Sequence, residues 1–341
     1  MKLVLAQVFD FCYNLVINKV GRSLRELSEF SSKTRKLILK GPFASTCSAQ
    51  TSSGTPDIRG TNMKKIIAGI LIGALALTSV FGATKKSKKA KAIEIKIGVV
   101  GSIYEDLWAP AQKALKAEGI NLKIVQFSDY VTPNNALNNG EIDLNAFQHR
   151  IYLENDAGSH GYDIKLIGNT FIIPLNLYSN KVKSVSELKN GAVIAIPNDV
   201  TNGGRAIKVL AAAGLIKLSP NAGFNPTVSD IIENPKNIVI KELAANTIPS
   251  ALADVDAAIV NGNYALDFGI KTESAIFKDT SVDEKQYWNL IAARTSDLKD
   301  PEKVEIFRKI VEAFQSKETE DVFNKTYGGY FIKEGWDIDE F

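Results

Sequence analysis

From residue 93 onward the sequence predicts an α/β fold of two lobes, with mixed sheets flanked by helices and two hinge crossings between the lobes. Three observations carry that expectation. Short apolar runs alternate with helical patterns through 93–341, the mark of a mostly parallel α/β architecture. Two runs, NTFIIPLNLYSN (169–180) and AAIVNGNYA (257–265), are extended pieces between helix-rich parts, and paired crossings imply two lobes with a cleft between them. The stretch NAFQHRIY (145–152) straddles the C-terminal end of a strand and the start of a helix, where open α/β sheets bind ligands.

The elements follow in order. IEIKIGVV (93–100) alternates as a strand, a helix follows around 106–117, and NLKIVQF (121–127) is the next strand. Thr132 caps a helix whose first residue is Pro133, where the missing N–H costs nothing. EIDLNAF alternates as a strand ending at Phe147, and QHRIYLEN opens a helix. Ser184 and Glu187 make a capping-box pair. AVIAIP (192–197) is a strand, and NDVTNGGRAIKVLAAAG becomes a helix closed by Gly214. NIVIKEL (237–243), VDAAIV (255–260) and YWNLIAAR (287–294) are further strands. Helices near 301–316 and 318–327 end the chain, the first capped by Asp300 ahead of Pro301.

Upstream, MKKIIAGILIGALALTSVFGA (63–83) reads as a secretory signal peptide: two lysines, a short apolar run, then Gly82 or Ala83. The apolar run is shorter than the ~20 residues of a membrane span. Met1 and Met63 are the only methionines, and the economical expectation is that translation starts at Met63, with 1–62 upstream, non-domain sequence. A basic linker, 84–92, follows, and with no cysteine near the expected cleavage point lipid attachment there is not expected.

The net charge of +3 averages two unlike parts. Residues 1–91 hold 16 of the 41 basic residues and 4 of the 38 acidic ones, leaving 92–341 with 25 basic against 34 acidic, a net of −9. That excess of acid, with no basic stripe, speaks against nucleic acid as a partner. Both cysteines, Cys12 and Cys47, precede residue 63, which removes a disulfide framework or a cysteine metal site from the body.

Two stretches carry chemistry. In NDVTNGGRA (198–206), Thr201 or Asn202 can cap, and Arg205 falls in the first helical turn. Free N–H groups and a guanidinium then converge on one spot, which suits a carboxylate or phosphate, or else this is an ordinary helix start with a solvated arginine. It is no P-loop, because no Gly-Lys-Ser/Thr follows. In NAFQHRIY, His149 has several readings: a catalytic base, a metal ligand, a half-buried surface histidine, or one wall of a ligand cage with Phe147, Tyr152 and Tyr130. No nucleophile frame of the G-x-S-x-G kind exists to serve a catalytic histidine. The other histidine, His160, lies across an expected helix end at Gly161. Aromatic faces suit an apolar or thioether ligand.

Five stretches, DYVTPNNAL, NAFQHRIYL, IPNDVTNGGRA, IVNGNYA and YWNLIAAR, resemble in order and spacing the methionine-binding lipoproteins of ABC importers, the NlpA-type family, over nearly all of 93–341. The resemblance implies a type II, two-lobed periplasmic binding protein, with 93–173 and 264–341 as lobe 1 and 174–263 as lobe 2. It implies methionine or a close relative as ligand, no cofactor, no catalysis, a monomer, and an ABC permease of the inner membrane as partner. The protein would be exported, either periplasmic or at the outer face of the cytoplasmic membrane. Carried over by motif, Tyr130, Phe147, His149 and Tyr152 surround the ligand side chain, Arg205 pairs with its carboxylate, and Asn261 and Asn289 hold its polar end. On that reading Arg205→Ala abolishes binding and spares the fold, and His149→Phe retains binding, because a cage wall needs shape and a ring face. The chain departs from the family at Ile151 and Val200, where proline is usual, and at Gly203, where leucine is. Another small amino acid or a methionine-containing dipeptide is the alternative ligand, and a secreted enzyme the alternative class.

Overall fold

A computed structural model of the protein describes residues 92–341. The upstream stretch 1–62, the leader 63–83 and all of the linker but Ala92 lie outside the described residues. Among the described residues no helix is long and apolar enough to cross a membrane.

The sequence patterns translate into two sheets. β1 (Ile93–Val100) runs parallel to β2 (Ile120–Phe127) in unbroken register from Ile93↔Ile120 to Val100↔Phe127. The connection between them is α1 (Tyr104–Ala117), whose Leu107, Trp108, Ala111 and Leu115 are buried at helical spacing. α2 (Thr132–Asn138), the short β3 (Leu144–Asn145), α3 (Arg150–His160) and β4 (Ile164–Asn169) follow. Together with the late strand β12 (Leu290–Arg294), these strands form a five-stranded sheet of order β2-β1-β3-β12-β4, in which β12 is antiparallel to both neighbours.

The chain then leaves through β5 (Phe171–Ile172) into β6 (Leu175–Tyr178). β7 (Val193–Pro197), α4 (Val200–Ala212), the β8–β9 ribbon (Lys217–Leu218 with Ile231–Glu233), β10 (Val239–Leu243), α5 (Ile248–Ala251) and β11 (Ala257–Asn261) build a second sheet of order β10-β7-β11-β6. α6 (Gly262–Asp267) follows at once. The chain touches β6 again, where Phe277 bridges Leu177, before it enters β12. α7 (Pro301–Phe314) and α8 (Lys317–Lys325) pack on the first sheet, and β13 (Ile332–Lys333) pairs with β5.

Each sheet has its own apolar core. Leu107, Trp108, Ile291, Phe307 and Phe314 belong to one, and Leu177, Ile194, Ile207, Leu210 and Ile259 to the other. A third cluster joins Val100, Phe147 and Tyr152 from the first half to Tyr178, Ala195 and Val260 from the second. The molecule is thus a two-lobed α/β protein with mixed sheets, as the sequence predicts.

Four local expectations change. The strand expected through Phe147 is confined to Leu144–Asn145, because the residues beyond it turn to bury amide side chains. Thr132 does not cap α2; Asp129 does that work, its Oδ1 accepting from the N–H groups of Val131 and Thr132 at 2.9 Å each. Ser184 and Glu187 start only a single 3₁₀ turn, since the hydroxyl donates to the Glu187 carboxylate itself (2.9 Å) rather than serving the backbone. The run 257–265 is extended only as far as Asn261 and helical beyond it. The expected cap of α7 holds: Asp300 accepts from Glu302 N–H ahead of Pro301.

Asp267, at the end of α6, joins two distant segments. Its carboxylate accepts from Ser102 N–H (3.0 Å), Ile103 N–H (3.1 Å) and Ser102 Oγ (2.7 Å), which supplies orphan donors at the start of α1 with an acceptor. Gly101, at φ +99°, is what lets the carboxylate in: a Cβ there would strike Asp267. Asp267→Ala is expected to lower stability by about 1–2 kcal/mol, within the range of lost helix caps. A urea titration should show a lower midpoint at unchanged slope.

Candidate functional site

The ends of strands from both sheets meet around one cleft of about 420 Å³, counting the part open to solvent. From the five-stranded half come Tyr104, Tyr130, Phe147, His149, Tyr152 and Asn289. From the other come Asn202, Arg205, Asn261 and Asn263, and the connecting Ile173 and Pro174 form the floor. All seven residues singled out in the sequence line this cleft.

The aromatic side is built on a polar foundation. Behind NAFQHR, buried amides lock the turn: Asn134 Nδ2 donates to Gln148 Oε1 and to Asp156, and Asn134 Oδ1 accepts from Asn145 and Gln148 (2.7–2.8 Å). This fixes the start of α3, so Phe147 and Tyr152 project together, ring centroids 6.0 Å apart and nearly perpendicular. Tyr130 stacks on Phe147 at 5.9 Å and lies 4.9 Å from Tyr264. Burial pushes the phenols of Tyr130 and Tyr152 well above their ordinary range, so both remain hydroxyl donors. Tyr130 donates to Asn263 Oδ1 across the cleft (2.5 Å), and Tyr152 to the Tyr130 carbonyl (3.0 Å). Tyr264 Oη likewise reaches the Ser128 carbonyl at 3.3 Å.

His149 is more than a ring face. It is the N-cap of α3, its Nδ1 accepting from Tyr152 N–H at 3.2 Å. A nitrogen that accepts carries no proton, so the neutral ring holds its hydrogen on Nε2, facing Asn202 Oδ1 at 3.4 Å. Burial, and after it the Arg205 charge, pushes its pKa down to about 3. The hydrogen-bond partners of its ring are a backbone amide and an amide oxygen. His149→Phe would lose both bonds, a cost that the expectation of retained binding, which asks only for a ring face, leaves out.

Opposite stands α4, and here the structure departs from the sequence reading. Asp199 caps it, accepting from Asn202 N–H (2.8 Å), Asn202 Nδ2 and Thr201 Oγ1. The stronger carboxylate acceptor displaces Thr201 and Asn202 as the cap, and Arg205 falls in the second turn. Asn202, held by Asp199, presents Oδ1 to Asn261 Nδ2 (2.8 Å) and to His149. Asn261 Oδ1 is buried without a partner among the described residues. Asn289 closes the ring, bridging His149 through its backbone. Gly203 packs on the Pro197 carbonyl, which a Cβ would meet at 2.9 Å, so a leucine there needs a shifted backbone.

Arg205 is no solvated arginine. Its side chain is 3% exposed and its Nη2 meets the fully buried Asp279 at 2.5 Å. Nη2 also donates to the Ile173 carbonyl and Nε to Ser281 Oγ, while the guanidinium lies 4.4 Å from the Tyr287 ring. Nη1 has no hydrogen-bond partner among the described residues. Sequence reasoning missed Asp279 and Ser281, which sit in the polar stretch KDTSVDEKQY with no motif to mark them, and gave no role to Tyr287 although it opens YWNLIAAR. It also missed Gln148 and Asn263.

Two lobes, a cleft between them, an aromatic cage on one wall and a buried guanidinium on the other define a substrate-binding protein. The chain belongs to the NlpA lipoprotein family, whose model matches residues 95–335. It is 42% identical over 278 residues to the D-methionine-binding lipoprotein MetQ of Yersinia pestis, covering 80% of this chain and 98% of that one. The MetQ of Escherichia coli K12 is also 42% identical, over 272 residues, covering 79% and 96%. Among solved structures, a nutrient-binding protein from Burkholderia cenocepacia bound to methionine is 41% identical with a TM-score of 0.66, covering 71% of this chain and all of that one. The substrate-binding protein of a methionine transporter from Streptococcus pneumoniae is 36% identical with a TM-score of 0.68, covering 71% and 96%.

Two outcomes follow from this geometry. Arg205→Ala strands Asp279 without its cation, so it is expected to destabilise the fold by about 3–5 kcal/mol, contrary to the expectation of a spared fold. Arg205→Met with Asp279→Leu should recover part of that stability, read by thermal melting, but no ligand binding. For His149 the folded pKa lies below the ordinary 6.5, so the unfolded chain takes up the proton first. The stabilisation is complete above about 6.5 and is lost as pH falls through about 3. Nitrogen-15 NMR should find a neutral ring protonated on Nε2 from about pH 7.5 down to about 4.5, about two units below the ordinary histidine pKa.

Proposed function

We propose that this protein is the extracytoplasmic solute-binding component of an ABC importer and holds methionine, or a close relative, in its interlobe cleft. The observation that carries the proposal is the convergence of Tyr130, Phe147, His149, Tyr152, Arg205, Asn261 and Asn289 on one cleft lined from both lobes. The names borne by the similar proteins support the choice of ligand.

In this reading the lobes are 93–173 with 264–341, and 174–263. Tyr130, Phe147, His149 and Tyr152 enclose the thioether side chain, where sulfur–aromatic contacts contribute about 0.3–1.5 kcal/mol. Arg205 Nη1 meets the ligand carboxylate. Asn261 Oδ1, a buried acceptor, takes the ammonium, with Asn289 beside it. Binding, without catalysis, closes the lobes and offers an ABC permease the closed shape. The protein acts as a monomer outside the cytoplasmic membrane.

Mass spectrometry of ligand released by denaturing the purified protein tests this directly, and methionine is expected. In competitive titration methionine should exceed leucine by roughly ten- to a few-hundredfold, the size of a lost sulfur contact plus a misfit of about one methylene. Lysine should not bind, because the cage offers its side chain no countercharge. Tight lysine binding would sink the proposal.

A further inference from the structure

Asp279 does not line the cleft; it stands behind Arg205. Every hydrogen bond of its carboxyl group is with a donor: Arg205 Nη2, Leu175 N–H at 3.0 Å, Ser281 N–H at 2.8 Å and Ser281 Oγ at 2.6 Å. A carboxyl group that only accepts is a carboxylate, so the guanidinium in front of it is already neutralised. The rest of the lining adds no compensating charge. His149 is neutral, and Gln148, Asn202, Asn261, Asn263 and Asn289 contribute amides. The nearby Asp199 is taken up by the start of α4 and is not part of the lining.

A cleft so balanced draws a bare anion weakly. A ligand that brings its own positive charge beside its carboxylate meets no uncompensated guanidinium to repel it. We propose that Asp279 makes this cleft select zwitterions over plain carboxylates, acting as a positioning and charge-balancing residue through Arg205. It also orients the guanidinium, since Asp279 and Ser281 hold Nη2 and Nε and leave Nη1 to the ligand. The proposal rests on the amino-acid reading of the cleft given above.

The test is calorimetric titration of wild type, Asp279→Asn and Asp279→Glu with methionine and with 4-(methylthio)butanoate, the same molecule without its α-amino group. Wild type should prefer methionine. In Asp279→Asn that preference should fall about ten- to hundredfold, as expected for removing one charge near the ammonium, with the desamino acid bound at least as well as before. Asp279→Glu should restore most of the preference, which a purely structural role for the residue would not require. A folded Asp279→Asn protein with the wild-type preference overturns the proposal while leaving the amino-acid reading intact. Wild type that binds neither compound overturns that reading and the proposal with it. If Asp279→Asn does not fold, Ser281→Ala decides. It removes one partner from each member of the pair and should lower the preference about threefold, a shift well below one unit charge; no change overturns the proposal.

Discussion

A guanidinium removed from water must be neutralised before it can serve a ligand, and the Arg205–Asp279 pair meets that demand. The pair is seated on the segment that joins the two sheets: the Ile173 carbonyl accepts from Arg205 and the Leu175 N–H donates to Asp279. The floor is close-packed there, since a Cβ on Gly262 would collide with Ile173. The cleft-facing charge, its countercharge and the connection between the sheets are therefore one unit. Breaking an ion pair so deeply buried is costly because the remaining partner has no water to turn to.

Around this unit the cleft is made of amides and phenols. Asn202 mediates between the halves, tied to Asp199 on its own helix and offering one oxygen to both Asn261 and His149. Asn134, Asn145 and Gln148 do the equivalent work under the aromatic wall. Neutral dipoles fixed by neighbours suit a polar ligand without adding charge, and their specific partners make the geometry narrow, while Asn261 Oδ1 is left open.

Much of this was legible in the sequence because it depends on local order. β1, β2 and the cap of α7 follow from alternation and from Asp-Pro, and the aromatic residues of NAFQHRIY share a wall because strand end and helix start are adjacent in the chain. What was hidden depends on distance. Asp279 is 74 residues from Arg205 in a stretch that looks like solvated loop, and only the fold brings them together. The caps were misjudged for a related reason: at 129 and 199 an aspartate stood slightly upstream of the polar residue chosen, and a carboxylate accepts more strongly than a hydroxyl or amide. His149 shows a third limit, for nothing in its spacing says that one nitrogen caps a helix.

Among the side-chain contacts that join the halves without passing through the cleft's contents are three: Tyr130 to Asn263, Asn246 to Ser128 and His149 to Asn202. Opening must break all three, so part of the free energy that favours the closed form belongs to the protein itself. Apparent affinity scales with the fraction of molecules already competent, and these bonds raise that fraction in advance. The same bonds must break before a ligand departs. In the proposed reading residence time is set at the rim as much as in the cage, and a partner that competed for Asn263 or Ser128 would hasten release without touching the bound molecule.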